Sequence, residues 1–234
     1  DLGDGTSAGI PGWGNLEREY YVKEAVTTGS NGQLLITANR LPGDNPYPVY
    51  YGGNAEWSSA KLTTQNKVHF LYGRIEAVLQ LPVGVGTWPA FWMLGANLPE
   101  VGWPQCGEID IMEHRGDQPN RLYTTLHGPG YCGDNGRGQV FDFAEPLAAG
   151  PHTFSVDWLP DSIEWQVDGK TQLVLTPGDL APNPWVFDHP HYVIVNLAMG
   201  GNFCGPIAPE LTWAQYGISE LSFYSISGVG TLIN

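Results

Sequence analysis

The chain has 234 residues, of which 42% are hydrophobic and only 15% are charged, and its formal net charge is −14. This acidity excludes nucleic acid and anionic membrane surfaces as expected partners, because both carry negative charge themselves. No apolar run reaches the roughly 18 residues that a membrane-spanning helix requires. The length is typical of one all-β domain, and a neutral polymer is a compatible partner.

Short strands are predicted along most of the chain. The 31 glycines and 19 prolines supply many turns, and few segments show an apolar stripe of helical period. Residues 1–14 are predicted to be surface coil, and only 177–184 and 207–215 are candidates for a helical turn. The predicted strands are residues 20–27, 33–40, 56–63, 67–81, 87–94, 107–113, 121–128, 152–158, 162–168, 170–175, 191–199 and 217–226.

These strands predict an all-β protein with two antiparallel sheets packed face to face, as a sandwich or jelly roll. Within residues 162–175, Asp168 and Gly169 form the two-residue sequence that favours a type I′ turn, so this stretch is predicted to be a β-hairpin. No linker, charge block or repeat marks a boundary. The sequence therefore predicts a single domain over residues 1–234.

The three cysteines, Cys106, Cys132 and Cys204, allow one disulfide at most. If the strands at 107–113 and 121–128 form a hairpin, Cys106 lies near residue 130, which favours a Cys106–Cys132 bond. A Cys132–Cys204 bond and three free thiols are the alternatives. No C-x-x-C spacing supports a zinc site. A start at Asp1 without a signal-like segment fits a mature secreted chain or a trimmed one.

The stretch "GEIDIMEH" concentrates three carboxylates in a predicted buried strand. Because side chains alternate along a strand, Glu108 and Asp110 share one face, while Glu113 requires one extra residue, a β-bulge near residues 111–112, to join them. Neighbouring acids repel one another, so at least one binds its proton more tightly. Retaining glycosidases use such a pair of carboxyl groups. A solvated strand face and a calcium cluster are the alternatives.

The acidic strand and five other stretches resemble glycoside hydrolase family 16 in its laminarinase form, whose signature is E-x-D-x-x-E. In chain order the others are "GWGNLEREYY", "YGRIEA", "GTWPAFWMLG", "TTLHGPGY" and "VNLAMGGNF". The resemblance implies a β-jelly-roll with a long concave cleft and retaining, endo-acting hydrolysis of neutral β-1,3-glucan, without a cofactor. It further implies that Glu108 is the nucleophile, that Glu113 is the acid/base, and that Asp110 orients the nucleophile.

Aromatic side chains suit the apolar faces of sugar rings, and the chain has nine tryptophans. Trp88 and Trp92 share a face of one predicted strand, and Trp103 lies in a turn just before the acidic strand. Phe203 stands where the family often has tryptophan. We expect these four residues to line the cleft, with core packing as the alternative role for each.

Polar candidates for substrate binding come from the same resemblance. The arginine that matches Arg74 points into the cleft near the acids in the family, although a surface ion pair is the alternative. His127 lies on the strand expected to pair with the catalytic one. Asn15 and Asn196 match family positions near the cleft. His114 is interpreted as structural.

Two departures from the family pattern concern the other strands. Val78 replaces a common arginine, and Ser219 stands where several relatives have an aspartate that binds a structural calcium. Calcium is therefore doubtful, with compensation by Glu220 or by carbonyl groups as the alternative. The expected partner is a β-glucan, bound by a monomer. The competing functions are a non-catalytic β-glucan-recognition protein and a hydrolase of mixed-linkage β-1,3-1,4-glucan or a neutral galactan.

Overall fold

The computed structural model describes residues 1–234, which form seventeen strands and a few single helical turns. The strands are β1 (Glu19–Tyr21), β2 (Val26–Thr28), β3 (Leu34–Arg40), β4 (Trp57–Ser59), β5 (Lys61–Thr63), β6 (His69–Leu71), β7 (Gly73–Gln80), β8 (Thr87–Gly95), β9 (Glu108–His114), β10 (Arg121–His127), β11 (Arg137–Asp142), β12 (His152–Leu159), β13 (Ser162–Val167), β14 (Lys170–Leu175), β15 (His191–Met199), β16 (Trp213–Tyr224) and β17 (Thr231–Ile233). The helical turns are α1 (Leu98–Val101), α2 (Pro177–Leu180) and α3 (Gly201–Cys204).

The strands build two sheets, which we name by their size. The nine-stranded sheet has the order β1-β4-β3-β16-β7-β12-β13-β14, with β2 paired to β3. The eight-stranded sheet has the order β11-β10-β9-β8-β15-β6-β17, with β5 paired to β15. Every pairing is antiparallel except that of β1 with β4. The predicted all-β jelly-roll sandwich is confirmed.

The inner faces of the sheets enclose one main core of 34 buried residues. Strand β7 shows how the pleat supplies it, because buried and partly exposed residues alternate along its whole length. Trp57, Trp158 and Trp165 are among the largest fully buried side chains. Each large apolar side chain that leaves water contributes about 1.5–3 kcal/mol, so this core holds the two sheets together.

Most predicted elements are confirmed. The hairpin of β13 and β14 turns at Asp168 and Gly169, whose φ angles of 50° and 72° are those of a type I′ turn. The strands β11 and β17 and the turns α1 and α3 were not predicted, and no helix forms within 207–215. No helix of the structure has the length and apolar character to cross a membrane.

Residues 1–14, predicted as surface coil, contain two short 3-10 turns, at Thr6–Ala8 and Pro11–Gly14. Asp4 is buried beside them, and its carboxylate accepts hydrogen bonds from the main-chain N–H groups of Thr6 and Tyr50. Both bonds stabilise the ionised form and lower the pKa of Asp4, although burial opposes this. The segment is thereby fastened to the sandwich.

The prediction of a disulfide is wrong for this structure. All three cysteines are free thiols. Cys106 is buried in a small apolar cluster with Leu94, Tyr192 and Ile194. Cys204 is buried in a different cluster, and its Sγ lies 3.3 Å from the main-chain oxygen of Thr87, to which it donates. The two buried thiols thus pack in separate places, and neither is joined to Cys132.

Candidate active site

A β-bulge in β9 brings the three acids to one face. Glu113 pairs with Tyr123 on β10, but Asp110 pairs with Thr125, so two β9 residues face a single residue of β10. The extra residue is accommodated because Ile111 and Met112 are both buried in the main core. The bulge predicted near residues 111–112 is confirmed, and the carboxyl groups lie on the outer face of the eight-stranded sheet.

Glu108 and Glu113 each accept a hydrogen bond from a tryptophan. The Nε1–H of Trp103 donates to Oε2 of Glu108 over 2.6 Å, and the Nε1–H of Trp88 donates to Oε1 of Glu113 over 3.0 Å. Trp103 is 46% exposed, so its ring is free to contact a sugar, whereas Trp88 is only 9% exposed. Trp103 thus lies beside the acids, but its hydrogen bond to Glu108 was not foreseen, because Trp103 belongs to a loop.

The protonation of the acids follows from their burial and proximity. Burial, followed by the charge of Asp110, raises the pKa of Glu108 to about 8. Burial, followed by the charge of Glu108, raises the pKa of Glu113 to about 7. Burial and the charge of Glu113 raise the pKa of Asp110 well above its ordinary range. The cluster therefore holds protons at neutral pH that isolated carboxyl groups would lose.

His127 lies on β10 directly opposite Glu108 in the pairing with β9. Its Nε2 atom is 3.1 Å from Oδ2 of Asp110, and its ring is 6.1 Å from the Trp103 ring. The structure thus places His127 beside Glu108 and Asp110. Positive charge on this imidazole lowers the pKa of both glutamates and so favours their ionised forms.

A chain of hydrogen bonds connects the centre of the cleft to its floor. Trp92 donates through Nε1 to Oδ1 of Asn196 over 2.7 Å, and Asn196 donates through Nδ2 to the hydroxyl of Tyr21 over 3.2 Å. That hydroxyl donates to Oε2 of Glu17 over 3.3 Å, and Asn15 donates through Nδ2 to Oε1 of Glu17 over 3.1 Å. Trp92, Asn196 and Asn15 are thus brought together through a buried carboxyl group.

Sequence reasoning did not identify three charged residues near the cleft, which are Lys61, Glu17 and Glu19. Both glutamates are buried, at 5% and 1% exposure, and burial raises the pKa of each. The Lys61 ammonium lies 4.2 Å from the Trp13 ring centre and 5.3 Å from that of Trp92. Lys61 lies within the predicted strand at 56–63. Its place opposite Asn196 depends on the pairing of β5 with β15, which the sequence did not show.

Phe203 packs near the acid/base candidate. Its ring centre is 4.9 Å from that of Trp88 and 5.0 Å from that of Tyr123, and the Arg115 guanidinium lies 5.3 Å from it. Phe203 therefore supports the indole that binds Glu113. His114 is 1% exposed, and its Nδ1 donates to the main-chain oxygen of Arg121 over 2.8 Å, in keeping with a structural role.

The expectation for Arg74 is wrong. Arg74 lies on β7 of the nine-stranded sheet and alternates with the core residues Gly73 and Ile75, so its side chain is on the outer face, across the sandwich from the acids. There it makes two hydrogen bonds to Asp157, at 2.5 and 2.7 Å, and a third to Gln166. The alternative stated for it, a surface ion pair, is what the structure contains, with Asp157 as the partner.

Two places in the molecule bear on metal binding. On the outer face of β16, Glu220 accepts a hydrogen bond from Ser222, and no cluster of three carboxylate, histidine or cysteine side chains forms there. In the cleft, Glu108, Asp110 and His127 each offer a ligand atom, and these atoms all lie within 4.8 Å of one another.

Comparisons with known proteins agree with this geometry. Residues 17–216 match the family described as glycosyl hydrolases family 16. A glucan endo-1,3-beta-glucosidase of Cryptopygus antarcticus is 39% identical over 223 residues, which is 88% of this chain and 80% of that protein.

Among solved structures, the laminarinase catalytic domain of Thermotoga maritima has a TM-score of 0.90 and 40% identity, covering 97% of this chain and 90% of that one. The endo-beta-1,3-glucanase of Pyrococcus furiosus has a TM-score of 0.86 and 38% identity, covering 96% and 88%.

Proposed function

The chain belongs to family 16 of the glycosyl hydrolases and is an endo-β-1,3-glucanase, and we propose that Glu108 and Glu113 carry out its hydrolysis with retention of configuration. One observation supports these roles above all. The bulge in β9 puts both glutamates on one face with Asp110 between them, and each accepts a hydrogen bond from its own indole. A solvated strand face would not provide such donors.

In the first step, Glu108 attacks the anomeric carbon and forms a glycosyl ester with it. Glu113 gives its proton to the glycosidic oxygen, so the bond to the leaving sugar breaks and that sugar departs with a hydroxyl group. In the second step, Glu113 takes a proton from water, the water oxygen attacks the anomeric carbon, and the ester bond to Glu108 breaks. Both glutamates return to their starting forms.

Asp110 sets the charge of the nucleophile. It is 2% exposed and its pKa is raised well above the ordinary range, so we assign it a proton in the resting enzyme. A neutral Asp110 removes the second cause of the raised pKa of Glu108, which is the negative charge of Asp110. The indole of Trp103 supplies a hydrogen bond to the ionised form. This hydrogen bond and a neutral Asp110 both favour the ionised form of Glu108.

We infer a neutral, laminarin-type glucan as the substrate. The exposed indole of Trp103 suits an apolar sugar face, and the net charge of −14 disfavours anionic polymers. We further propose that the chain acts as one catalytic domain and as a monomer, because a single chain carries all three acids and one core joins both sheets. We also propose that it is secreted, since a polymeric substrate is met outside the cell.

A non-catalytic glucan-recognition role is not favoured. Binding alone does not require two carboxyl groups with raised pKa values, each held by an indole N–H, at the signature positions Glu108 and Glu113. Mixed-linkage glucan and neutral galactan remain competitors in a substrate test, because both would also present uncharged rings to Trp103.

The test is hydrolysis of laminarin followed from its first seconds by proton NMR. We expect the β-anomer of the reducing end to appear first, with the α-anomer following by mutarotation, and the products to be short oligosaccharides. Lichenan, agarose and cellulose serve as competing substrates. Initial release of the α-anomer would contradict retention, and faster turnover of agarose than of laminarin would contradict the substrate.

A further inference from the structure

Three side chains of the cleft have the arrangement of a transition-metal site. Glu108 and Asp110 come from β9, and His127 comes from β10, where it faces Glu108 across the strand pair. Their ligand atoms lie within 4.8 Å of one another. A shared ion with bonds of about 2.0–2.2 Å would draw them together by about 1 Å, a movement that side-chain rotation can supply.

The second observation is that Asp110, the most buried of the three residues, has a carboxylate oxygen without a hydrogen-bond partner. Oδ2 of Asp110 is buried and unpaired, although it lies 3.1 Å from Nε2 of His127. The two atoms are close, but the N–H axis of the imidazole is not aimed well enough at the oxygen for a hydrogen bond. Nδ1 of His127 is also buried and unpaired.

A metal ion between Asp110 and His127 fits their relative orientation better than a hydrogen bond between them does. If an ion lay about 2.1 Å from both atoms, their 3.1 Å separation would give an N–metal–O angle of about 95°. The ion would then sit to one side of the line between the two atoms, and the imidazole lone pair would not need to point at the oxygen. Such an angle is ordinary for a metal with four to six ligands.

Glu108 completes the ligand set. The Trp103 indole occupies its Oε2 atom, which leaves Oε1 for an ion, and Glu108 and His127 are partly exposed, so an ion has access from solvent. One imidazole with two carboxylates suits zinc and its neighbours, whereas calcium needs six to eight oxygen ligands. The net charge of −14 raises the local concentration of cations around the protein.

We propose that Glu108, Asp110 and His127 bind one zinc-class ion in the substrate-free enzyme and that this ion inhibits hydrolysis by capping the nucleophile. Glucan and metal compete, because the ion occupies the carboxylate that must attack the sugar. The inhibitory consequence rests on the function proposed above, whereas the binding of the ion does not. The two claims therefore have separate readouts.

The binding test uses tag-free protein stripped with chelator, titrated with zinc chloride by calorimetry at pH 7. We expect one equivalent to bind, with His127→Gln and Asp110→Asn each weakening the affinity at least tenfold. His152→Gln removes a histidine that is engaged with Asp168 and should bind zinc as the parent does. Calcium chloride should give no comparable binding. Thermal unfolding of each variant establishes that it is folded.

A cobalt titration gives an independent signature, because visible absorption bands report the coordination of Co²⁺. The bands should form with the parent and His152→Gln and be lost with His127→Gln. Less than one equivalent of bound zinc, or equal affinity in the parent and both site variants, would overturn the site.

The inhibition test measures laminarin hydrolysis at several zinc concentrations. We expect zinc to raise KM with little change in kcat, and chelator to restore the original rate. Zinc binding without any glucanase activity would reject the proposed function and leave the metal site standing. Zinc binding with unaltered laminarin kinetics would reject the inhibitory role.

Discussion

At the scale of single residues, Glu108 has the most directly testable role. Glu108→Gln keeps the shape and the acceptor for Trp103 but removes the charge that forms the glycosyl ester, so activity should fall by several orders of magnitude. The thermal unfolding midpoint should stay the same or rise, because a neutral amide replaces a buried ionisable carboxyl group. Glu220→Gln, an exposed acid on β16, is the matched control. Near-normal laminarin turnover by Glu108→Gln would exclude it as the nucleophile.

Trp103 combines two contacts in one side chain, and Trp103→Phe separates them. The variant retains an apolar ring for the sugar but loses the N–H donor to Glu108. A hydrogen bond to a charged group contributes about 1.5–3 kcal/mol, so kcat should fall about 10- to 100-fold with a smaller change in KM. Trp213→Phe, which alters an indole that is 58% exposed on β16, should leave both constants unchanged. An effect on KM alone would mean that the N–H has no role.

Glu113 determines the response to pH. Its folded-state pKa is raised to about 7, so the general acid loses its proton as the pH rises through 7, and kcat/KM should fall there. In chelator-containing buffer, the alkaline limb of the laminarin pH profile measures this directly. A limb centred near the ordinary carboxyl pKa of 4.5 would contradict the effect of burial on this group.

The same raised pKa has a consequence for stability. Between its ordinary pKa of 4.5 and about 7, folded Glu113 holds a proton that the unfolded chain has lost, so rising pH through this window destabilises the fold. Glu113→Gln removes this cost. Its unfolding temperature relative to the parent should therefore increase from pH 5 to pH 8, as calorimetry would show. A difference that shrinks with pH would reverse the sign of the shift.

At the scale of strands, the bulge in β9 shows how far sequence reasoning reaches. The five-residue spacing of Glu108 and Glu113 does not fit strict alternation if both acids share a face, and an extra residue was the only local solution. Alternation assigns a side chain to a face, however, and not to a sheet. Arg74 illustrates this limit, because its predicted strand was correct while its place in the nine-stranded sheet depends on pairing with β12 and β16.

Contacts between strands that are distant in sequence could not be predicted, for the same reason. Lys61 meets the cleft only because β5 pairs with β15, some 130 residues later in the chain. Trp103 reaches Glu108 from a loop, where no periodicity fixes the direction of a side chain. Family resemblance singled out the three acids themselves, since they belong to one contiguous motif.

The place of Arg74 leads to a strand-level prediction. Arg74→Met removes a doubly hydrogen-bonded ion pair and leaves Asp157, whose side chain is 17% exposed, without its main partner. Because the pair is partly solvated, the loss of stability should be about 1 kcal/mol, measured by denaturant unfolding, while kcat and KM for laminarin stay unchanged. Arg121→Met, which breaks an exposed pair with Asp142, should cost less. A large loss of activity in Arg74→Met would instead support the substrate-binding role that the sequence suggested.

At the scale of the whole molecule, the two sheets carry different kinds of side chain on their outer faces. The nine-stranded sheet carries ion pairs such as that of Arg74 on its outer face, while the eight-stranded sheet carries the acids, the indoles and His127 on its own. Composition predicted this architecture well, because short strands and frequent turns leave few alternatives to a sandwich. The assignment of strands to sheets was not predictable, since most neighbouring strands are far apart in sequence.

That strand order also determines when the chain can fold. β3 takes β16 as a neighbour about 180 residues later, and β6 takes β17 at the end of the chain. During synthesis, the early strands must therefore wait with unpaired edges until the last strands leave the ribosome, and loop closure of this length makes folding slow. Chaperones that shield exposed strand edges should raise the yield of this protein more than they raise its final stability.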